Sequence, residues 1–182
     1  MEGLLRNFEE AALPHLGAAY NLARWLTRNE TDAEDVVQEA YLRAFRLFGS
    51  FHGGDGRPWL LAIVRNTFYT WMHRNRAPEL QTTFDEEIHT VREDQLNPET
   101  RLLKKADHEL LRQALEELPA EFREVIVLRE LEGLSYKQIA EVAEIPVGTV
   151  MSRLARSRKR LQQSLAGRGN KETSEELSVG AF

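Results

Sequence analysis

Ser135-Tyr-Lys-Gln-Ile-Ala-Glu-Val-Ala-Glu-Ile-Pro-Val-Gly-Thr-Val-Met-Ser-Arg-Leu-Ala-Arg-Ser-Arg-Lys-Arg160 contains two helical patterns with a turn between them. Ser135 and Gln138 are spaced as a capping box, in which the hydroxyl accepts from an early helix amide and the glutamine reaches back to the cap's own N–H. Tyr136, Ile139, Ala140 and Val142 follow at helical spacing. Ala143 to Thr149, with Pro146 inside it, is a turn by composition. A last helix then starts around Val147 and runs to about Leu165, with Val150, Leu154 and Leu161 on its inner face. Such a pair forms a helix-turn-helix, whose second helix projects its N-terminal residues into a DNA major groove. Charge supports this reading, because residues 151–168 hold Arg153, Arg156, Arg158, Lys159, Arg160 and Arg168 and no acid. Ser152, Arg153, Arg156 and Lys159 face outward; a guanidinium can take guanine bidentately, and the remaining cations can neutralise phosphates. Dipole compensation at a helix end explains two or three of these bases, but not six without an acid.

Working back from this motif, Pro119 opens a helix with Phe122, Val125, Ile126, Leu128 and Leu131 as its core, and Gly133 is placed to end it in the left-handed conformation. Asn97-Pro98 reads as an N-cap and N1 pair starting a further helix, with Leu102, Leu103, Leu110, Leu111, Ala114, Leu115 and Leu118 buried. Residues 79–100 carry seven acids against the single base Arg92 and few large apolar residues, the composition of a linker. The spacing therefore predicts an all-α chain of two small helical domains: residues 1–77, a linker over 78–100, a helix-turn-helix domain over 101–166, and a disordered tail over 167–182.

In the first half, Leu4 to about Leu26 carries Phe8, Ala12, Leu16, Ala19 and Leu22 in helical rhythm, with Pro14 breaking or kinking it. Thr31 with Glu34 has capping-box spacing and predicts a helix to about Phe48, with Val37, Ala40, Tyr41, Ala44 and Phe48 as its apolar stripe. Its start is acidic, and Asp35, Gln38, Glu39 and Arg43 share an exposed face suited to a basic partner helix. Phe51 to Pro58 is a glycine-rich loop leading into a helix from Trp59 to about Arg76. Residues 57–76 hold four bases, no acid and four of the chain's fifteen aromatics. With Leu60, Ile63, Val64 and Phe68 inward, Arg57, Trp59, Arg65, Asn66, Tyr69, His73, Arg74 and Arg76 lie wholly or partly outside the core. Rings beside cations suit single-stranded nucleic acid, whose bases stack and whose backbone needs countercharge. Aromatics at helical spacing also simply fill cores.

The 182 residues carry 24 Lys+Arg and 29 Asp+Glu, a net charge of -5 that argues against nucleic acid when read as an average. The two basic segments change that: they read as DNA-facing surfaces on an otherwise acidic chain. The absence of cysteine excludes disulfides, thiolate metal sites and cysteine nucleophiles. No apolar run approaches the roughly 20 residues of a membrane span, and Met1-Glu2-Gly3-Leu4 lacks a secretory pattern, so a soluble cytoplasmic protein is expected.

Three blocks resemble the sigma factors of bacterial RNA polymerase, specifically the two-domain extracytoplasmic-function (ECF) branch. Asp32-Ala-Glu-Asp-Val-Val-Gln-Glu-Ala-Tyr-Leu-Arg-Ala-Phe45 is similar to the family's polymerase-binding helix, Phe51 to Arg76 to its minus-10 element, and Leu118 to Ala140 with Val147 to Arg158 to its minus-35 domain. The resemblance implies that Asp35, Gln38, Glu39 and Arg43 meet the clamp coiled coil of core polymerase. It implies that the loop from Phe51, with His52, Asp55 and Arg57, captures a flipped minus-10 base, and that Trp59, Arg65, Asn66, Tyr69, Arg74 and Arg76 serve the same element. At the minus-35 element it implies Thr149, Met151, Ser152, Ala155 and Arg156 near bases and Arg153, Arg158 and Lys159 near phosphates. Met151 stands where an arginine is common in the family. No catalysis, cofactor or metal is implied; core polymerase, promoter DNA and an anti-sigma factor are the implied partners. The rivals are a free-standing regulator using the same helix-turn-helix and a helical carboxylate metalloenzyme built on Asp107-His108-Glu109 or on Glu34, Asp35 and Glu39. Scattered histidines and the absence of a Glu-x-x-His pair oppose the second.

Overall fold

A computed structural model describes residues 2–75 and 108–179, with side chains over 6–75 and 108–167. All regular structure among the described residues is helical. In chain order it comprises α1 (Glu2–Ala12), a 3-10 turn at Leu13–His15, α2 (Leu16–Thr27), α3 (Glu30–Leu47), a 3-10 turn at Phe48–Ser50, α4 (Gly56–Arg74), α5 (108–116), α6 (Ala120–Ile126), α7 (Tyr136–Ala143) and α8 (Val147–Val179). The expected restart at Asn97-Pro98, Leu102, Leu103, the linker, Asp107's neighbourhood before His108, and Arg76 lie outside the described residues.

Pro14 does break the first helical pattern, at a tight 3-10 turn. That turn shifts the register, so the buried stripe resumes as Ala19, Leu22, Ala23 and Leu26, while Leu16, expected in the core, is 47% exposed. The expected Thr31–Glu34 cap is also corrected. α2 ends on Arg28 in the left-handed conformation (φ 61°), extended Asn29 follows, and the Asn29 carboxamide accepts from the Asp32 amide at 3.0 Å. α3 therefore starts one residue before Thr31. It buries Ala33, Val36, Val37, Ala40 and Ala44 between α2 and α4. The small side chains on this face let the helices approach closely.

α4 begins at Gly56 rather than Trp59. Asp55 caps it by accepting from the Arg57 amide at 3.0 Å. Gly53 and Gly54 precede it at φ 84° and 93°, a backbone region that side-chain-bearing residues rarely enter. A Cβ on Gly56 would lie 2.6 Å from the Ala11 carbonyl oxygen, so glycine here lets α1 cross the start of α4.

In the second half, α6 widens into a single π-type turn over Val127–Leu131, and Gly133 (φ 67°) ends it as expected. Each residue of a wider turn rotates less, which carries Leu131 off the buried face to 48% exposure, against expectation. Leu111, also expected inside, is 43% exposed, and no described residue covers it fully. The Ser135–Gln138 capping box forms in both directions, at 3.2 and 2.9 Å. Glu144 closes α7 in the left-handed conformation (φ 54°), and α8 leaves the turn at Val147 with Val150 and Leu154 fully buried. α8 continues to Val179, past the predicted end near Leu165 and through most of the expected disordered tail. Gly167 and Gly169 weaken a helix by about 1 kcal/mol each, but the Lys-, Glu- and Leu-containing stretch after them favours it.

The two halves pack on each other, α2 and α4 against α6 and α7. One apolar cluster runs across both, from Leu22, Leu60 and Val64 to Phe122, Val125 and Ile139. This packing positions the site.

Candidate nucleic-acid interface

α4 presents the cations and rings expected to face DNA, and the second half meets them with carboxylates. Glu124, on α6, is completely buried. Its Oε2 accepts from Arg65 Nε at 2.9 Å and from the Tyr69 hydroxyl at 3.0 Å, and Arg153 Nη1 on α8 lies 3.3 Å from Oε1. The Arg65 guanidinium also sits 4.7 Å over the Tyr69 ring. Burial pushes the Glu124 carboxyl above its ordinary range, with the Arg65 and Tyr69 hydrogen bonds and the Arg153 charge opposing. Burial, then the Glu124 charge and hydrogen bond, push the Tyr69 phenol well above its ordinary value.

Two further carboxylates extend this contact. Glu132, 6% exposed, accepts from Arg57 with one oxygen and from Asn21 Nδ2 with the other, at 2.6 Å. Glu144 accepts from Asn66 Nδ2 at 3.0 Å. Beside them, Arg123 is buried and donates to the Trp25 carbonyl at 2.8 Å and the Leu118 carbonyl at 2.7 Å, while its Nε has no partner among the described residues. The first contact sets its charge at the C-terminal end of α2, where a cation is favoured. Burial lowers its pKa to about 10.

The loop before α4 is organised by rings. Phe51 stacks on Phe48 with centroids 5.7 Å apart and leans on Trp59 at 4.9 Å. These rings, His52, Gly53, Asp55 and Pro58 line a cleft of about 540 Å³ whose opposite wall is Gln138 and Glu141 of α7. Asp55 spends one oxygen on capping α4 and faces Gln138 Nε2 at 3.4 Å with the other. Arg74 is exposed at the end of α4.

On α8, Met151, Ser152, Ala155, Arg156 and Lys159 are exposed and Thr149 is half-buried. Among the described residues no ion pair engages Arg156 or Lys159, whereas Arg158 is bound to Glu130 at 2.7 Å. Arg153, expected to face outward, turns inward because the buried Glu124 carboxylate draws it. Residues assigned from sequence to two separate DNA surfaces, Arg65 and Tyr69 on one and Arg153 on the other, thus converge on one acid.

On the far side of the first half, Asp35 and Gln38 are exposed, and Arg43 Nε pairs with Glu39 at 2.8 Å, holding that carboxyl below its ordinary range. Leu42, one turn beyond Gln38, is 56% exposed, with Phe45 at 40% beside it. Sequence reasoning did not single out Leu42, although it lies off the buried stripe. Nor did it single out Glu124, whose signal is an acid inside the apolar run from Phe122 to Leu128. Among the described residues no group of three His, Asp or Glu side chains could hold a metal ion, and no helix is long and apolar enough to cross a membrane.

Both halves of the chain match known proteins. Residues 12–77 match the Sigma-70 region 2 family and residues 108–161 match Sigma-70, region 4. The chain is 34% identical over 165 residues to the ECF RNA polymerase sigma factor SigE of Mycolicibacterium smegmatis, covering 91% of this chain and 64% of that protein. It is 34% identical over 151 residues to the ECF RNA polymerase sigma-E factor of Haemophilus influenzae, covering 79% of each. Among solved structures, the sigma factor RpoE in complex with the anti-sigma factor NepR from Bartonella quintana superposes with a TM-score of 0.69 at 31% identity, over 88% of this chain and 98% of that one. CnrH in complex with the cytosolic domain of CnrY superposes with a TM-score of 0.62 at 26% identity, over 90% of each chain. With both of its conserved regions matched in order and relatives aligned over most of its length, this chain belongs to the ECF sigma factors of RNA polymerase, a family of transcription initiation factors.

Proposed function

We propose that the chain binds core RNA polymerase and directs promoter-specific initiation by reading a minus-35 element with α8 and a minus-10 element with α4 and the loop before it, assisting promoter melting. The observation that carries this reading is the exposed face of α8. Arg156 and Lys159, with no ion-pair partner among the described residues, stand exposed beside Ser152 and Met151 on the second helix of a capped helix-turn-helix. Side chains so placed reach base edges and phosphates when the helix enters a major groove. Trp59, Phe51 and the cleft beside them supply the stacking surface for an unpaired minus-10 base, at a few kcal/mol of unstacking cost, and Arg57, Arg65, Asn66, Tyr69, Arg74 and Arg76 supply charge and hydrogen bonds to the strand. Asp35, Gln38, Glu39 and Arg43 form the polymerase-binding face, with Leu42 as its apolar anchor, since exposed apolar side chains ringed by polar ones mark docking sites. The chain performs no chemistry itself; polymerase does. It works in the cytoplasm, and an anti-sigma factor, as in the superposed Bartonella quintana complex, is its expected partner.

Run-off transcription with purified core polymerase on genomic DNA of the encoding organism, followed by start-site mapping, tests this. Start sites sharing two spaced upstream elements, appearing only when the chain is added, are the expected result. Tight operator binding by the free chain with no effect on polymerase specificity would replace it with a free-standing regulator.

A further inference from the structure

The exposed face of α8 consists of two adjacent rows at four-residue spacing. One row is Val147, Met151 and Ala155 and ends on Lys159; the other is Gly148, Ser152 and Arg156. All of these residues are exposed, Met151 at 54% and Val147 at 42%, and a Cβ on Gly148 would meet nothing, so no described residue covers the start of the helix. Hydrogen-bond donors are unevenly placed along this face. Arg156 and Lys159 stand towards its far end, and Arg153 is drawn inward to Glu124. Near the start, Thr149 is half-buried, and the Ser152 hydroxyl donates to the Thr149 carbonyl at 3.0 Å, which leaves its oxygen to accept. The first two turns therefore offer a partner an apolar surface and an acceptor, with no fully exposed side chain free to donate.

Base edges differ in what they require of such a surface. In a major groove guanine presents N7 and O6 acceptors and adenine an N7 acceptor, each needing a donor, whereas thymine presents its C5-methyl group. A thioether side chain laid on a purine edge would strip water from those acceptors and replace none of its hydrogen bonds. Against a thymine methyl the same contact removes apolar surface from water on both sides. We infer that Met151 is a specificity-determining residue that reads a thymine C5-methyl group in the minus-35 element by apolar contact, with Val147 and Ala155 beside it shielding that contact from water. The inference rests on the proposed function, which places α8 in that groove, and deepens it by naming the base. Ala155 is short, so the helix can come close there, while the unbranched Met151 side chain reaches out and adapts to the position of the methyl. Arg156 and Lys159, exposed and without an ion-pair partner among the described residues, supply the charge that draws a phosphate backbone to this row. An arginine in place of Met151 would bring guanidinium donors and select guanine instead.

The test uses core polymerase with the full chain bound, on a promoter found by start-site mapping and randomised across its minus-35 element. Selection by the wild-type complex should enrich thymine at one position that Met151→Ala no longer prefers, while Met151→Ala keeps the preference set by Arg156. Replacing the selected thymine by deoxyuridine removes the methyl group alone. It should weaken wild-type binding about three- to fivefold, the worth of one buried methyl, and leave binding by Met151→Ala unchanged. Met151→Arg should move the preference at that position from thymine to guanine, a gain that a misfolded variant could not show. Equal wild-type binding to thymine and uracil, or the same loss on uracil in Met151→Ala as in wild type, overturns the inference and leaves the proposed function standing; the apolar row then belongs to a protein partner. Absence of start-specific transcripts from wild-type protein refutes the function and the inference with it.

Discussion

Tyr69 donates its phenolic hydrogen to Glu124 across 3.0 Å, tying the middle of α4 to a carboxylate with no exposure to solvent. A buried carboxylate loses hydration that only such donors replace. Removing one of them costs more than an average hydrogen bond, about 1–3 kcal/mol. Tyr69→Phe keeps the ring under Arg65 and deletes only the donor, so urea unfolding should show a loss in that range with little change in slope. A loss below about 0.5 kcal/mol would mean that Arg65 and Arg153 satisfy the acid without it.

The start of α3 offers a cleaner comparison, because two residues compete for one role. Asn29 is the observed cap, and Thr31 lies inside the helix. Asn29→Ala should therefore cost about 1 kcal/mol, the usual worth of an N-cap, while Thr31→Ala should fall within about 0.5 kcal/mol of wild type. Thermal or urea unfolding of both variants checks this, and the reverse order would restore the cap inferred from spacing.

That comparison also shows what was legible in the sequence. Both candidates sit before an apolar stripe, and spacing alone favoured Thr31 with Glu34; what decides is that Arg28 turns left-handed and leaves Asn29 extended, a backbone event with no glycine to announce it. The Ser135–Gln138 box, by contrast, follows Gly133, which does announce the turn, and it forms as read. The helix-turn-helix and the aromatic, basic character of α4 were likewise readable, being local patterns of period and charge. The convergence of Arg65, Tyr69 and Arg153 on Glu124 was not, because it joins positions 59, 55 and 29 residues from that acid through packing of the two halves. Composition pointed only to a linker between them, and a linker says nothing about whether its ends meet.

Tyr41 gives a pH prediction. Its hydroxyl donates to the Ala12 carbonyl at 2.9 Å, and burial pushes its pKa up to about 12 from an ordinary value near 10. The folded chain therefore keeps this proton where the unfolded chain has released it. The stabilisation is complete below pH 10 and is lost as pH rises from about 10 through 12. Tyr69 is shifted in the same direction. Stability should fall on passing pH 10, and Tyr41→Phe should flatten that fall while leaving the neighbouring Phe8 edge contact in place. Urea midpoints at pH 8, 10 and 11, with tyrosinate absorbance recorded alongside, provide the check; an unchanged alkaline slope in Tyr41→Phe would exclude this phenol as a cause.

Gly56 is fixed by contact rather than by dihedral angle. Its added Cβ would meet the backbone oxygen of Ala11 at 2.6 Å, and backbone cannot swing aside as a side chain can. Gly56→Ala should raise the helix propensity of α4 yet destabilise the chain by about 1–3 kcal/mol, because overpacking outweighs propensity. Gly49, with nothing near its Cβ position, is the control. Gly49→Ala should stay within about 0.5 kcal/mol of wild type in the same unfolding experiment.

Arg156 and Arg153 sit three residues apart on α8, and their surroundings divide their roles. Arg153 leans on Glu124, so it is engaged inside the chain, whereas Arg156 is exposed and has no ion-pair partner among the described residues. On the proposed function, an exposed guanidinium on the outer face of α8 would read a base at one position, and its loss would cost about 1–3 kcal/mol there while leaving other positions alone. Arg156→Ala, assayed as the polymerase complex on promoters varied base by base in the minus-35 element, should relax preference at a single position. Lys159→Ala should instead weaken binding to all variants alike and reduce its salt dependence, as a phosphate contact does. If Arg156→Ala weakens every variant equally, the residue holds backbone and the base contact belongs to Ser152 or Met151.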